Sequence, residues 1–237
     1  MKFIRLLALL LALFCVVSVV ACKKEEEPET PPVEEDTSVL PVKSEAITGT
    51  ELYWEIYRDG TLHVKGTGDM GEELISSAEL GYNEQPWAAY ARTSSESSIV
   101  IKKVVVGEGV TGLSQNSFQD CLYLELVELP TTLTEIPRDC FRGCTSLKRV
   151  FGKNVTVVGD GAFVRCERLQ RLTFSTLLES VGQGAFFEAG TKSDRFELRL
   201  VGSETEWQEG EGVAIVEPEN ANKFFADAMQ SPVFISR

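Results

Sequence analysis

Any chemistry in this chain would have to come from cysteine, from carboxylates or from its one histidine, His63. Six cysteines are present: Cys15 and Cys22 near the start, then Cys121, Cys140, Cys144 and Cys166. Cys22 closes the run Ser18-Val19-Val20-Ala21-Cys22, which puts a thiol directly after a small residue. Cys140 and Cys144 are spaced loosely like a zinc-ligand pair. With a single histidine and cysteines that fall on repeating positions, a structural metal site is not expected. No Ser/His/Asp or Cys/His set is evident, so acid–base and nucleophilic catalysis lack their usual parts. Gly66-Thr67-Gly68 lacks the following lysine and helix of a phosphate-cradling loop. A glycosidase would need only two well-placed acids, but a surplus of acids is ordinarily solvated surface. The expectation is no enzyme, no cofactor and no metal.

The setting of Cys22 carries the clearest chemistry. Lys2 and Arg5 precede an apolar stretch from Leu6 to Val20. A basic start, an apolar run and a small residue before the cut make a bacterial export signal. The run is too short and too close to the start for a convincing spanning helix. The Ala21-Cys22 junction resembles the lipobox of bacterial lipoproteins. The resemblance implies that residues 1–21 are a lipoprotein signal peptide, cut just before a lipidated Cys22. Residues 23–36 read KKEEEPETPPVEED, too polar to bury enough surface to offset the entropy of ordering. Residues 22–44 are therefore expected to be the lipidated cysteine and a disordered acidic tether. Its first residues also resemble the acidic export signals of some Bacteroidota lipoproteins. That would anchor the chain to the outer membrane facing the cell exterior; the alternative is a spacer with no sorting role.

The formal net charge is −13, from 23 Lys+Arg and 36 Asp+Glu. Nucleic acid calls for a basic footprint, so it is not an expected partner. Anionic lipid would repel the chain, leaving covalent lipid as the means of membrane attachment.

The middle of the chain is repetitive. Phe118, Phe141, Phe163 and Phe186 are 23, 22 and 23 residues apart, and three residues after each stand Cys121, Cys144, Cys166 and Ala189. Ile101, Leu124, Leu147 and Leu169 precede them in register, each followed three residues on by Val104, Val127, Val150 or Leu172. A second apolar segment holds Leu133 and Ile136, Val155 and Val158, and their equivalents. A fixed period in the low twenties is the mark of a solenoid, whose units share a core that none could close alone. Within one unit, a strand is predicted over Lys148 to Gly152, a turn over 152–154, an extended segment over Val155 to Val158, and a short turn of helix over Ala162 to Cys166. The repeated cysteine reads as a small buried hydrophobe.

The pattern Leu-x-x-Val-x-Leu-Pro-x-x-Leu-Thr-x-Ile…Phe-x-x-Cys over Leu124 to Cys144 resembles the BspA-like leucine-rich repeat of bacterial surface proteins. Upstream, Asp59-Gly60-Thr61-Leu62…Gly66-Thr67-Gly68-Asp69-Met70 and Pro86-Trp87 resemble the segment that often precedes such repeats. The fold class this implies is mostly β, a leucine-rich-repeat solenoid of about four 22–23-residue repeats over 101–190, between β-rich caps at 45–100 and 191–237. The Pro130 position becomes Gly107, Gly152 and Ser175 in the other repeats, and Ala189 replaces the cysteine, which limits transfer of any binding property. In the first cap a hairpin is predicted over Glu51 to Gly66, with His63 on its exposed face. In the second cap strands are predicted around 196–200, 213–216 and 233–235, with a helix over 219–230.

Solenoids act through their faces. Alternation within the repeat strands turns Lys103, Leu126, Arg149 and Arg171 outward, and beside them Val105, Glu128, Phe151 and Thr173. Phe151 between Arg149 and Arg171 is the candidate contact patch; an ordinary sheet face of mixed polarity is the plainer reading. The family resemblance implies a non-catalytic protein that adheres to a protein partner through this face. A glycan-binding lipoprotein is the alternative, with Trp54, Trp87 and Trp207 as candidate sugar platforms, although the first two read as packing residues. An envelope-structural spacer is the third.

Overall fold

The computed structural model describes residues 40–71, 85–92, 98–204, 214–215 and 232–235, all within one unit, Leu40–Arg237. The expected signal peptide, Cys22, most of the tether, Trp207 and the helix predicted over 219–230 lie outside the described residues. Among the described residues no helix is long and apolar enough to cross a membrane.

One nine-stranded sheet forms the spine. It begins with β1 (Lys43–Ala46), β2 (Leu52–Ile56) and β3 (Thr61–Gly66), which pair antiparallel. From β3 onward the pairing is parallel, through β5 (Lys103–Val106), β7 (Leu126–Glu128), β9 (Arg149–Phe151), β11 (Arg171–Ser175), β13 (Glu197–Val201) and β15 (Val233–Ile235). Val104, Val127, Val150, Leu172 and Leu198 stand in register along it, each almost wholly buried. The predicted repeat strands are present. Both caps are built into the same sheet rather than laid over its ends, so the edges of the repeat stack are paired.

Between the spine strands lie the second strands of the repeats. β8 (Glu135–Ile136), β10 (Val157–Val158), β12 (Ser180–Val181) and β14 (Ala214–Ile215) form a four-stranded parallel sheet, and β4 (Gly68–Asp69) pairs with β6 (Val110–Gly112). Ile136, Val158 and Val181 turn into the core.

The third side of each repeat differs from the sequence expectation. Ala162 to Cys166 is a chain of turns, not a turn of helix. Two residues before each phenylalanine, Asn116, Asp139, Gly161 and Gly184 have positive φ; two residues after, Asp120, Gly143, Arg165 and Glu188 do as well. These left-handed residues bar a right-handed helical run. Their geometry turns alternate backbone N–H groups along the stack. Asp139, Phe141 and Gly143 donate to the carbonyls of Asp160, Ala162 and Val164, and Asn116, Phe118 and Asp120 to those of Arg138, Cys140 and Arg142.

Between the three sides the phenylalanines form one stack. Phe118, Phe141, Phe163 and Phe186 lie face to face at 5.5, 5.4 and 5.2 Å, with interplanar angles of 15° or less. Each ring contributes about 1.5–3 kcal/mol by burial and each pair roughly 0.5–1.5 kcal/mol more. Trp87, on the residue before the short helix α1 (Ala88–Ala91), extends the stack at 5.3 Å from Phe118 and meets Trp54 edge-on. Its Nε1 donates to Ser117 O at 2.9 Å, and Gln85 Nε2 donates to Asn116 O. The Trp87 side chain thus satisfies the Ser117 carbonyl, whose equivalent in the next repeat, Cys140 O, accepts from Phe118 N–H.

The start of the fold also differs from expectation. Lys43 pairs with Ile56 and Ser44 with Glu55, so the last two residues of the predicted tether belong to the sheet. All four residues of β1 are exposed. A strand without an apolar face gives no alternation to read.

Candidate binding face

The outward face of the spine consists of two adjacent columns. Thr61, Lys103, Leu126, Arg149, Arg171 and Glu197 stand in register in one. His63, Val105, Glu128, Phe151, Thr173, Arg199 and Val233 stand in the other. Strand pairing brings all eight predicted face residues together, because a period-2 strand in exact register repeats its outward side chains from rung to rung. Neighbouring rungs are about 4.8 Å apart.

Seven of the eight are accessible: Arg149 is exposed, and Lys103, Val105, Leu126, Glu128, Phe151 and Arg171 are half-buried. Thr173 is the exception, at 2% exposure, and its Oγ1 has no hydrogen-bond partner among the described residues. Its register neighbours, Phe151 and Arg199, are both longer, and a short side chain between long ones is overshadowed. Thr173 is therefore a floor residue rather than a contact residue. Phe151, expected to stand exposed, is half-buried.

Charge on the face is organised in pairs. Lys103 Nζ meets Glu128 Oε1 at 2.9 Å, and Lys65 Nζ meets Glu55 Oε2 at 3.2 Å. Tyr57 donates its hydroxyl to Glu55 Oε2 at 2.8 Å and meets the half-buried His63 ring edge-on at 5.2 Å. Glu197 lies between two guanidinium groups, 2.8 Å from Arg199 Nε and 3.2 Å from Arg171 Nη2. Burial works to raise its carboxyl; the hydrogen bonds and charges of Arg199 and Arg171 overcome that and hold it below its ordinary value. Arg149 has no carboxylate partner among the described residues. Five cations thus face three carboxylates here, in a chain whose acids outnumber its bases 36 to 23. Glu55, Lys65, Glu197 and Arg199 were not among the predicted face residues. The Glu197-Leu-Arg199 alternation was a signal that could have found two of them.

The other chemical candidates sit in the interior. Cys121, Cys140, Cys144 and Cys166 are free thiols, all wholly buried. Trp54 and Trp87 are also at 0% exposure, packing residues as expected, and neither can serve as a sugar platform. No group of three His, Cys, Asp or Glu able to hold a metal ion occurs among the described residues.

Comparisons with known proteins agree with this geometry. A family model described as a BspA type leucine rich repeat region matches residues 94–198 in six copies, two more than the phenylalanine register marks. A leucine-rich repeat protein from Eubacterium ventriosum ATCC 27560 superposes with a TM-score of 0.50 at 19% identity, over 76% of this chain and 45% of that one. A leucine rich cell surface protein from Faecalibacterium prausnitzii A2-165 gives 0.43 at 19% identity, over 70% and 41%. The leucine rich repeat protein of T. pallidum gives 0.42 at 17% identity, over 81% and 98%. The chain spans less than half the length of the first two. No curated protein matches it. Rungs in register, the phenylalanine stack and the family match together identify residues 94–198 as a BspA-type leucine-rich repeat region.

Proposed function

We propose that the chain is a non-catalytic binding protein of the bacterial surface, anchored by lipid on Cys22, that meets a protein partner with the outward face of its parallel sheet. The observation that carries this reading is the face itself: a regular surface on which Arg149, with no carboxylate partner among the described residues, stands beside Leu126 and Phe151. Aromatic and arginine side chains are the types that dominate binding energy at protein interfaces. The carboxylates of the face, Glu55, Glu128 and Glu197, are held in ion pairs. That suits a surface that recognises better than one that transfers protons. Adhesion is the form of binding the family resemblance suggests.

Charge reversal tests it. Arg149→Glu alone, and Arg149→Glu with Arg171→Glu, should each weaken capture of partner proteins from a host or bacterial envelope extract by roughly tenfold. Thermal melting would confirm that both variants still fold. Unchanged capture removes these arginines from the binding surface.

A further inference from the structure

We infer that the outward face selects an acidic peptide segment with apolar flanks, one carboxylate of which sits between Arg149 and Arg171 beside Phe151. The inference rests on the reading of this face as a binding surface and adds the chemistry of the partner.

The argument starts from a local conflict. Arg149 and Arg171 are direct register partners on adjacent strands, and like charges directly opposite each other in a sheet are unfavourable. One rung further on, the same column solves this. Glu197 opposes Arg171 and accepts from Arg171 and Arg199 at 3.2 and 2.8 Å. On the other side of Arg149 the column holds Leu126, where a carboxylate would have neutralised it. The face thus shows one carboxylate, Glu197, seated between Arg171 and Arg199, and on the far side of Arg171 a further guanidinium, Arg149, with no carboxylate partner among the described residues. A ligand carboxylate there would relieve the repulsion and accept charge-assisted hydrogen bonds from the Arg149 guanidinium.

The surroundings narrow the ligand further. Val105, Leu126 and Phe151 form an apolar zigzag between the two columns over three successive strands, and Phe151 lies on the same strand as Arg149. Glu128 and Glu197 interrupt the cations, so a uniform polyanion laid along the face would meet like charge twice. A peptide with isolated acids between apolar side chains avoids that conflict and covers the apolar zigzag.

The test uses the full chain and four probes in fluorescence anisotropy: a short peptide with single glutamates flanked by leucine and phenylalanine, the same peptide with glutamine for glutamate, a poly-glutamate peptide, and heparin. The glutamate peptide should bind roughly fivefold or more tighter than its glutamine counterpart. Arg149→Ala should abolish that preference. Arg142→Ala, which removes the same charge from a turn beside Phe141 where it pairs with Asp139, should leave it intact. Equal binding of the two peptides, or a preference that survives Arg149→Ala, overturns the carboxylate seat. Tighter binding of heparin or poly-glutamate that depends on Arg149 overturns the peptide in favour of a polyanion. If no probe binds while Phe151→Ala still weakens partner capture, the inference falls and the binding face stands. If Phe151→Ala also leaves capture unchanged, both fall.

Discussion

Cys121, Cys144 and Cys166 show how a reactive residue type can be used for its size. They occupy the ladder position that Ala189 fills in the fourth repeat, and that equivalence made their burial legible in the sequence. Cys144 and Cys166 donate to Phe118 O and Phe141 O at 3.1 and 3.2 Å. Burial pushes every thiol up; for Cys121 burial, reinforced by the nearby Asp120 charge, raises it from 9.0 to about 12. The sign of the pH dependence follows. Below pH 9 both native and unfolded Cys121 hold their proton, so its contribution is fully present. Between 9 and about 12 the unfolded thiol ionises while the native one does not, so stability falls as pH rises. For Cys121 the loss should be roughly 1–1.5 kcal/mol by pH 10. Urea midpoints at pH 8 and 10 measure it, and Cys121→Ala should lose less than the wild type over that step. Equal losses would mean the thiol is not protected in the native state. The same scale holds the clearest limit of sequence reading: alternation turned Thr173 outward, but only its longer neighbours decide that it is covered.

The repeating element was readable in part, and the parts divide by physical cause. Strands and the phenylalanine stack were legible because buried apolar side chains recur at a fixed spacing. The turn side was not, because backbone conformation there is set by residues of unlike type: Asn116, Asp120, Asp139, Gly143, Gly161, Arg165, Gly184 and Glu188 all adopt positive φ. Asp and Gly share a tolerance for that region which composition does not advertise. β1 was hidden for a different reason, having no buried side chain to mark it, and Trp87 was visible as an anchor but not as the first ring of the stack. Arg165 and Gly143 hold equivalent positions, which gives a paired prediction. Arg165→Gly relieves a left-handed arginine on an exposed turn and should raise stability by about 0.5–1 kcal/mol. Gly143→Ala keeps the left-handed φ of 75° and drives a Cβ into Asp120 Oδ1, and should lower stability by about 1–3 kcal/mol. Chemical denaturation reads both; a loss with Arg165→Gly would show that its ion pair with Glu188 matters more than its backbone.

At the scale of the molecule, the sheet runs unbroken from β1 to β15, so the candidate face is a single surface whose approach is governed by where the chain is held. Attachment by lipid at Cys22, with the tether ahead of β1 as spacer, would suit a protein of net charge −13, which anionic lipid would repel and which would need a covalent anchor to stay at a membrane. An acid-rich chain also disfavours indiscriminate capture of anionic partners, and on the proposed reading recognition would fall to the sheet face, where cations outnumber acids among the described residues. This arrangement works as an adhesin only if the face is outside the cell. Two measurements check it together. Cys22→Ala should move the protein from the membrane fraction to the soluble one, because without the thiol there is no acceptor for lipid. Protease added to intact cells should remove the wild-type protein while sparing a periplasmic control. Loss with the control intact puts the face where host or bacterial proteins can meet it. Full protection would put the protein inside the envelope, reduce the acidic run after Cys22 to a spacer, and replace adhesion with an envelope-internal binding or structural role.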